Sequence, residues 1–198
     1  MPPQHGSTYE AGIKGAWQDG RLNAASTVYR NVRDHLAIRA GRRNGQTYYN
    51  AEDHTTNRGA ELSISGRVGD KWLLNASYAR SFSRKADGSP VKTNYPEHLF
   101  KLFASYDINN KITLGGNIHW QSRLYDSSIK NMPDAASRSA VSQRPYAVVD
   151  LMMHINLGKQ TRLSLYADNV FNKSYKTMPD IHVYGTPRRF SAVLRHTF

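Results

Sequence analysis

The residues of this sequence best suited to bind a ligand lie close to the ends of alternating, strand-like segments. His119, Gln121 and Arg123 occupy every second position, in the opposite parity to Ile118 and Trp120, so their side chains share one face of a strand. Five tyrosines stand near the ends of such segments, namely Tyr48, Tyr49, Tyr95, Tyr125 and Tyr184. Aromatic and cationic groups suit a bulky, often anionic ligand. The sequence predicts a ligand-binding surface formed by these eight residues, with ordinary loop packing as the alternative.

Other chemistries find little support in the sequence. The chain has 8 histidines, but no two are spaced i,i+2 for a strand or i,i+4 for a helix, so we expect no metal site. It has no cysteine, which excludes disulfides and thiolate chemistry. Motifs of the G-x-S-x-G, H-E-x-x-H and phosphate-loop types are absent. We expect neither an enzyme nor a bound cofactor, although a serine–histidine–aspartate site assembled from distant strands stays open.

The charge balance is strongly basic. Lys and Arg number 27 against 15 acidic residues, a formal net charge of +12. Such a surface attracts polyanions, or is simply solvated. Arg39, Arg42 and Arg43 lie in a predicted loop, where they could meet an anionic ligand, lipid phosphates or solvent. Nucleic acid is not an expected partner, because the basic residues are dispersed rather than gathered on one face.

The segments that must position these residues repeat with a period of two. Phe100, Leu102 and Ala104 alternate with Lys101 and Phe103, as a strand with one apolar face does. We predict nine strands at 7–17, 21–36, 48–68, 71–85, 96–108, 111–124, 144–157, 161–173 and 184–198. The sequence contains no run of about 18 apolar residues, so we expect no membrane-spanning helix. The 198 residues are expected to form one all-β domain, 1–198, an antiparallel up-and-down meander.

Short and long connections alternate along the chain. The short ones are "QDG" (18–20), "GD" (69–70), "NN" (109–110) and "GKQ" (158–160); the long ones are "AIRAGRRNGQT" (37–47), "KADGSPVKTN" (85–94), 125–143 and 174–183. Transmembrane β-barrels have short periplasmic turns and long extracellular loops. The pattern therefore predicts part of a large transmembrane β-barrel, with a soluble, basic β-rich module that binds polyanions as the alternative.

Aromatic residues and the end of the chain agree with a barrel. Trp17 and Trp72 flank short turns, whereas Phe82 and Trp120 lie near the opposite ends of their strands. Aromatic girdles at both membrane interfaces are typical of such barrels. In the last predicted strand, Phe190, Ala192, Leu194 and Phe198 share one parity. These four side chains are expected to face lipid.

Seven stretches, in this order, carry a family resemblance. They are "YEAGIKGAWQDGRLNAASTVYR", "RGAELSISG", "PEHLFKLFASYDI", "LGGNIHWQSRLY", "YAVVDLMMHINL", "LSLYADNVFNKSY" and "YGTPRRFSAVLRHTF". The sequence resembles the C-terminal part of the β-barrel of TonB-dependent siderophore receptors, in particular the ferric-pyoverdine and ferric-coprogen receptor group. The stretches cover nearly the whole chain.

The resemblance implies a location, a ligand and partners. It places the chain in the outer membrane of a Gram-negative bacterium, in contact with outer-membrane lipid. A ferric siderophore would be the transported ligand, with energy supplied by the TonB complex through the N-terminal part of the receptor. The last strand would be the assembly signal for the barrel-assembly machinery, carried by Phe190, Leu194 and Phe198. The family usually has Tyr where this chain has His196.

The sequence also departs from the family in what it contains. A signal peptide, a TonB box and a plug domain are expected from the resemblance, and none is recognisable here. Large transporters of this kind close with about 22 strands, whereas nine are predicted. We therefore expect a fragment of a receptor, one that does not transport a siderophore by itself.

Overall fold

The computed structural model describes residues 3–91, 95–125, 134–179 and 181–198. Its long strands are β1 (His5–Trp17), β2 (Leu22–Arg43), β3 (Gln46–Val68), β4 (Trp72–Lys85), β5 (His98–Asp107), β6 (Ile112–Gln121), β9 (Tyr146–Asn156), β10 (Thr161–Asp168) and β13 (Arg189–His196). Short elements lie between them: β7 (Leu124–Tyr125), α1 (Ala135–Ala140), β8 (Ser142–Gln143), β11 (Lys176–Met178) and β12 (Val183–Tyr184). No helix among the described residues is long and apolar enough to cross a membrane.

The nine long strands form one antiparallel sheet in chain order, β1-β2-β3-β4-β5-β6-β9-β10-β13. The remaining strands pair locally, β7 with β8 and β11 with β12, inside the long connections. Each long strand thus lies beside its neighbours in sequence, which confirms the predicted all-β meander. Antiparallel neighbours need only short turns, and the period-two sequence supplies a consistent pair of faces for every strand.

One face of the sheet is apolar from edge to edge. Leu102 lies opposite Ala76 on β4 and Ile118 on β6, and Ile118 lies opposite Val149 on β9. Because partners in register point to the same side, the apolar stripes of all the strands merge into one surface. Among the described residues, buried hydrophobic side chains are few, whereas Ile13 is 79% exposed. The described part of the chain places no second layer over this face, and such an exposed apolar face suits an apolar surrounding.

A shallow depression of about 500 Å³ lies on that apolar face. Its lining includes Ile13, Trp17, Leu62, Ile64 and Phe100. These residues belong to the stripe that needs an apolar surrounding, so hydrocarbon is the medium that suits them. We place the candidate ligand site elsewhere, on the opposite face.

The opposite face is polar and hydrogen-bonded across strands. Asn57 donates from Nδ2 to Ser81 Oγ at 3.1 Å and to Ser83 Oγ at 2.8 Å. Asn117 donates to Asp150 Oδ2 at 3.0 Å. Polar groups that satisfy each other in this way suit the wet interior of a barrel.

The predicted long connection at 37–47 is wrong. Strands β2 and β3 continue through it, with Arg43 paired with Gln46, and the hairpin turns at Asn44 and Gly45. Both turn residues have positive φ, 51° and 79°, as a type I′ turn requires. Arg42 and Arg43 therefore lie on paired strands, whereas the side chain of Arg39 is outside the described residues.

Two predicted strands lack five residues at one end. β10 ends at Asp168 rather than at 173, because Asn169 has a φ of 48° that leaves the extended conformation. β13 begins at Arg189 rather than at 184, after Pro187, which has no N–H for a strand ladder. Both changes lengthen the connection at the end of the sheet where the candidate site lies.

Candidate functional site

A pocket of about 350 Å³ opens on the polar face of the sheet, beside the long connections. Strands β6, β9 and β10 supply its wall, and the segment after β10 supplies its rim. Its lining residues are Asn117, His119, Tyr146, Val148, Asp150, Asp168, Asn169, Tyr175, Thr177, Thr186 and Arg189. We call it the upper polar pocket. It combines the aromatic and cationic groups predicted for a bulky anionic ligand with two carboxylates, Asp150 and Asp168, that were not predicted.

Stacked aromatic rings form one side of the upper polar pocket. The ring of Tyr146 stacks on that of Tyr175 with centroids 4.4 Å apart, and on the imidazole of His119 with centroids 6.2 Å apart. Tyr146 is only 5% exposed, since the rings of Tyr175 and His119 pack against it. Rings fixed in this way offer a rigid surface at little entropic cost.

Tyr175 reaches its place because Gly185 leaves room for it. A Cβ at position 185 would overlap the ring of Tyr175. The Gly185 N–H also donates to the Tyr175 carbonyl at 2.9 Å. Burial, reinforced by the negative charge of Asp150, raises the pKa of Tyr175 above its usual value. Its phenol is therefore a neutral donor throughout the physiological pH range.

Two carboxylates face the pocket, and both are engaged. Asp150 accepts from the Asn169 N–H at 2.7 Å in addition to the bond from Asn117. Asp168 forms an ion pair with Arg189, at 2.7 Å between Oδ2 and Nη2. The side chain of Arg189 is 66% exposed, so its guanidinium keeps donors available for a ligand.

Asn169 fastens the connection after β10 to the wall. Its side chain is buried, donates from Nδ2 to the carbonyls of Lys173 and Thr186 at 2.9 Å each, and accepts from the Lys173 N–H at 2.8 Å. Asn172 adds a bond, accepting from the Arg188 N–H at 3.0 Å. Sequence reasoning missed this role. The feature of the sequence that could have predicted it is an asparagine at the end of a strand, because asparagine tolerates a left-handed backbone conformation.

The predicted ligand residues do not all meet at one place. His119 lines the upper polar pocket, and Gln121 lies beside it, with its Oε1 3.3 Å from His119 Nε2. Arg123 and Tyr95 line a separate pocket of about 220 Å³ with Glu97. Their role in binding stays a prediction.

The other predicted tyrosines with described side chains do not line the pocket. Tyr48 and Tyr49 are on β3 in the extended hairpin, 49% and 51% exposed. Tyr184 is on β12, 60% exposed and paired with Lys176. The side chain of Tyr125 is outside the described residues. Sequence reasoning did not single out Tyr146, Tyr175, Asp150 and Arg189 as ligand residues. They come together through the register of β9, β10 and β13 and through the path of the connection that carries Tyr175.

The predicted assembly signal lies on the apolar face. Phe190 pairs with Ala167 and Leu194 pairs with Leu163 on β10, and the two are 73% and 65% exposed. Phe198 follows β13 and is fully exposed. Recognition of these three residues by an assembly machinery stays a prediction. No group of three or more potential ligating residues that could hold a metal ion occurs in the described part of the chain.

Comparison with known proteins places these features in one family. A family model described as "TonB dependent receptor-like, beta-barrel" matches residues 1–170. Over 202 residues the chain is 33% identical to the ferric-pyoverdine BN7/BN8 receptor of Pseudomonas putida, covering 100% of this chain and 23% of that protein. It is 29% identical to the ferripyoverdine receptor of Pseudomonas aeruginosa, covering 26% of that protein. The chain thus spans about a quarter of the length of these relatives.

Solved structures agree along the whole sheet. The crystal structure of the ferripyoverdine receptor of the P. aeruginosa outer membrane, bound to ferripyoverdine, superposes with a TM-score of 0.84 at 28% identity, covering 98% of this chain and 27% of that one. The FpvAI–pyocin S2 complex gives a TM-score of 0.85 at 28% identity, covering 99% and 28%. The fold of this chain is therefore similar to part of those barrels.

Proposed function

Because the chain belongs to the TonB-dependent receptor β-barrel family, we propose that it forms nine consecutive strands in the wall of an outer-membrane receptor for a ferric siderophore. The observation that carries this proposal is the match of the whole nine-stranded sheet, at 28% identity, to a receptor bound to ferripyoverdine. The apolar face would contact lipid. The polar face would line the lumen, and the long connections would face the cell exterior.

The edges of the sheet support a larger barrel. Within the described residues β1 pairs only with β2, and β13 pairs only with β10. An unpaired edge in hydrocarbon costs several kcal/mol for each unsatisfied backbone group. We infer that this sheet is part of a larger receptor barrel and that further strands of that receptor pair with both edges. The chain by itself is then not expected to transport a ligand.

The upper polar pocket would supply part of the siderophore site. Tyr146 and Tyr175 would offer flat, rigid surfaces to an aromatic or bulky chelate, and His119 would extend that surface. Arg189 would attract the negative charge of the chelate. In this proposal the chain binds and guides its ligand, with the ferric siderophore as cargo, and no catalytic step is assigned to it.

The partners follow from the same proposal. Outer-membrane lipid would surround the apolar face, and the barrel-assembly machinery would recognise the strand that carries Phe190, Leu194 and Phe198. The TonB complex would act through parts of the receptor that precede this segment. A soluble module that binds polyanions fits less well, because it would need a cover for apolar residues such as Ile13 and Phe190, which are 79% and 73% exposed.

An immunoblot of outer membranes from iron-starved cells tests the proposal. With an antibody against residues 189–198, a band several-fold heavier than 22.4 kDa is expected in the outer-membrane fraction. The same fraction should retain ferripyoverdine. Absence of the antigen from outer membranes would contradict the location. A band only at 22.4 kDa would contradict transport through a barrel that contains this chain as one segment.

A further inference from the structure

Two arginines interrupt the apolar face side by side, within a row of four side chains across β1, β2, β3 and β4. In register, Tyr9 lies opposite Arg30, Arg30 opposite Arg58 and Arg58 opposite Phe82. We call these four residues the arginine row. They share the face that carries the apolar pairs Val28 with Ala60 and Ala24 with Ile64.

The two arginines of the row face each other without a counter-charge. Directly opposed like charges destabilise an antiparallel pair, because their Cβ atoms are about 5 Å apart. Among the described residues neither Arg30 nor Arg58 forms an ion pair or a side-chain hydrogen bond, and both are exposed. Arg80, one step below on β4, differs, since its Nη2 lies 3.1 Å from Glu97 Oε1. The described residues thus supply no anion to the two arginines of the row, which leaves both free to bind one from outside the chain.

The row lies at the height of an interface between lipid and water. Trp72 begins β4 beside a short turn, and Phe82 lies ten positions further along. At a rise of about 3.3 Å per residue and a strand tilt of about 40°, these residues differ in height by about 25 Å. This is about the height of the apolar band of such a barrel. The arginines thus lie where lipid headgroups begin.

Aromatic rings flank the arginines, as expected at that depth. Tyr9 is 67% exposed at one end of the row. At the other end Arg80 and Arg84 lie over the ring of Phe82, 5.3 Å and 5.8 Å from its centroid. Aromatic side chains with arginines beside them are the usual anchors of a membrane interface.

We propose that the arginine row is a binding site for the phosphate of a lipid in the outer leaflet. The two guanidinium groups donate hydrogen bonds to the oxygens of one phosphate that lies between them, and the acyl chains of the same lipid lie on the apolar pairs below. The site rests on the proposed function, because it requires a barrel in a membrane. It differs from the upper polar pocket, which lies on the other face of the sheet.

A lipid phosphate explains more than a soluble anion does. Guanidinium groups bind phosphate by paired N–H···O bonds. A soluble anion would use only those bonds, whereas a lipid would also cover Val28 and Leu62, which are 55% and 50% exposed on the same face. The registered pair Arg162 and Arg195 shows the contrast, since it lies on the polar face where water can solvate it.

Native mass spectrometry of the full chain in neutral detergent micelles tests the site. Phosphatidic acid is the probe, diacylglycerol is the same lipid without phosphate, and glycerol phosphate is the soluble headgroup. The double variant Arg30→Gln/Arg58→Gln is expected to lower phosphatidic acid adducts about tenfold, since bonds between charged groups are the strong ones. Diacylglycerol adducts should not change. The matched control Arg162→Gln/Arg195→Gln removes the same charge and should keep the adducts.

Three results would overturn the lipid site: adducts unchanged in Arg30→Gln/Arg58→Gln, an equal loss in the control, or full displacement by glycerol phosphate. The first would mean that no site exists, the second that only net charge acts, and the third that the ligand is a soluble anion. A chain that acquires no sheet in micelles, as judged by circular dichroism, would contradict the proposed function and the site together. Ferripyoverdine binding, tested separately, reports on the proposed function alone, because the row lies on the opposite face.

Discussion

In the upper polar pocket, the position of Tyr175 depends on a neighbouring glycine, Gly185, and on the hydrogen bonds of a buried asparagine, Asn169. Tyr175 packs where Gly185 has no Cβ, and Tyr146 stacks on it at 4.4 Å. The bonds of Asn169 hold the segment that carries Tyr175. Each of these contacts is local enough to be tested by one substitution.

Tyr146→Leu should weaken ferripyoverdine binding to outer membranes by several-fold, because loss of an aromatic contact costs about 1 kcal/mol. Leucine keeps the apolar volume and removes the stacking surface. The matched control is Tyr29→Leu, which changes a polar-face tyrosine that packs on Gly59 rather than in the pocket. Equal binding by the two variants would show that the stacked rings do not contact the siderophore.

Asn169→Ala should loosen the connection after β10, since it removes the part-buried hydrogen bonds of the Asn169 side chain with the carbonyls of Lys173 and Thr186 and with the Lys173 N–H. Each lost hydrogen bond costs about 0.5–1.5 kcal/mol. Alanine at this position has two effects, the loss of these hydrogen bonds and the strain of a Cβ at a φ of 48°. Asn169→Gly separates them, because glycine removes the same bonds but tolerates the positive φ. Trypsin cleavage at Lys173 and Lys176 should rise in both variants and more in the alanine variant. Unchanged cleavage would contradict the role given to Asn169.

At the scale of strands and hairpins, the turn of the β2–β3 hairpin depends on the backbone conformation of two residues. Its two long strands extend beyond the neighbouring strands and turn at Asn44 and Gly45. The turn needs positive φ at both residues, and a side chain at position 45 would meet no atom within 4 Å. Backbone conformation, rather than space, is therefore what Gly45 provides.

Gly45→Ala should destabilise the tip of this hairpin by about 1–2 kcal/mol, the cost of a Cβ in left-handed backbone. The matched control is Gly158→Ala, where a Cβ also meets no atom and φ is not positive. Hydrogen exchange at the amides of Arg43 and Gln46 measures the effect. We expect faster exchange at the tip in Gly45→Ala, with the sheet around β5 unchanged. Equal exchange in both variants would exclude a type I′ turn.

The sheet could be predicted because its signal is repeated in every strand. Apolar residues at alternate positions, as in Phe100, Leu102 and Ala104, specify both the strand and its face. The ends of the strands were harder to predict, because each depends on the backbone conformation of only one or two residues. The pair Asn44–Gly45 closes a hairpin that was predicted as a loop, and Asn169 ends β10 early. Such positions are set by backbone conformation, which periodicity does not report.

The candidate site was predictable only where it lies on one strand. His119 and Gln121 share a face of β6, as their spacing indicates. Tyr146, Tyr175 and Arg189 come from distant parts of the chain, so their proximity depends on register and on the path of a connection. No pattern within a short window of sequence contains that information.

At the scale of the whole molecule, the nine long strands form one sheet with two unlike faces, and the proposed function depends on which face meets lipid. Neighbouring residues of one strand test this directly. Leu102 lies on the apolar face opposite Ala76 and Ile118, whereas Phe103 lies on the polar face opposite Asn75 and Asn117. Both are partly buried apolar side chains of similar size.

Leu102→Arg should therefore destabilise the chain in lipid vesicles by about 2–4 kcal/mol, the cost of an arginine near the middle of the bilayer on a barrel exterior. Phe103→Arg adds the same charge to the wetted face and should cost less. Urea titration in phosphatidylcholine vesicles, followed by tryptophan fluorescence, measures both. If Phe103→Arg were the more damaging change, the face assigned to lipid would be the lumen, and both the receptor wall and the lipid phosphate site would lose their basis.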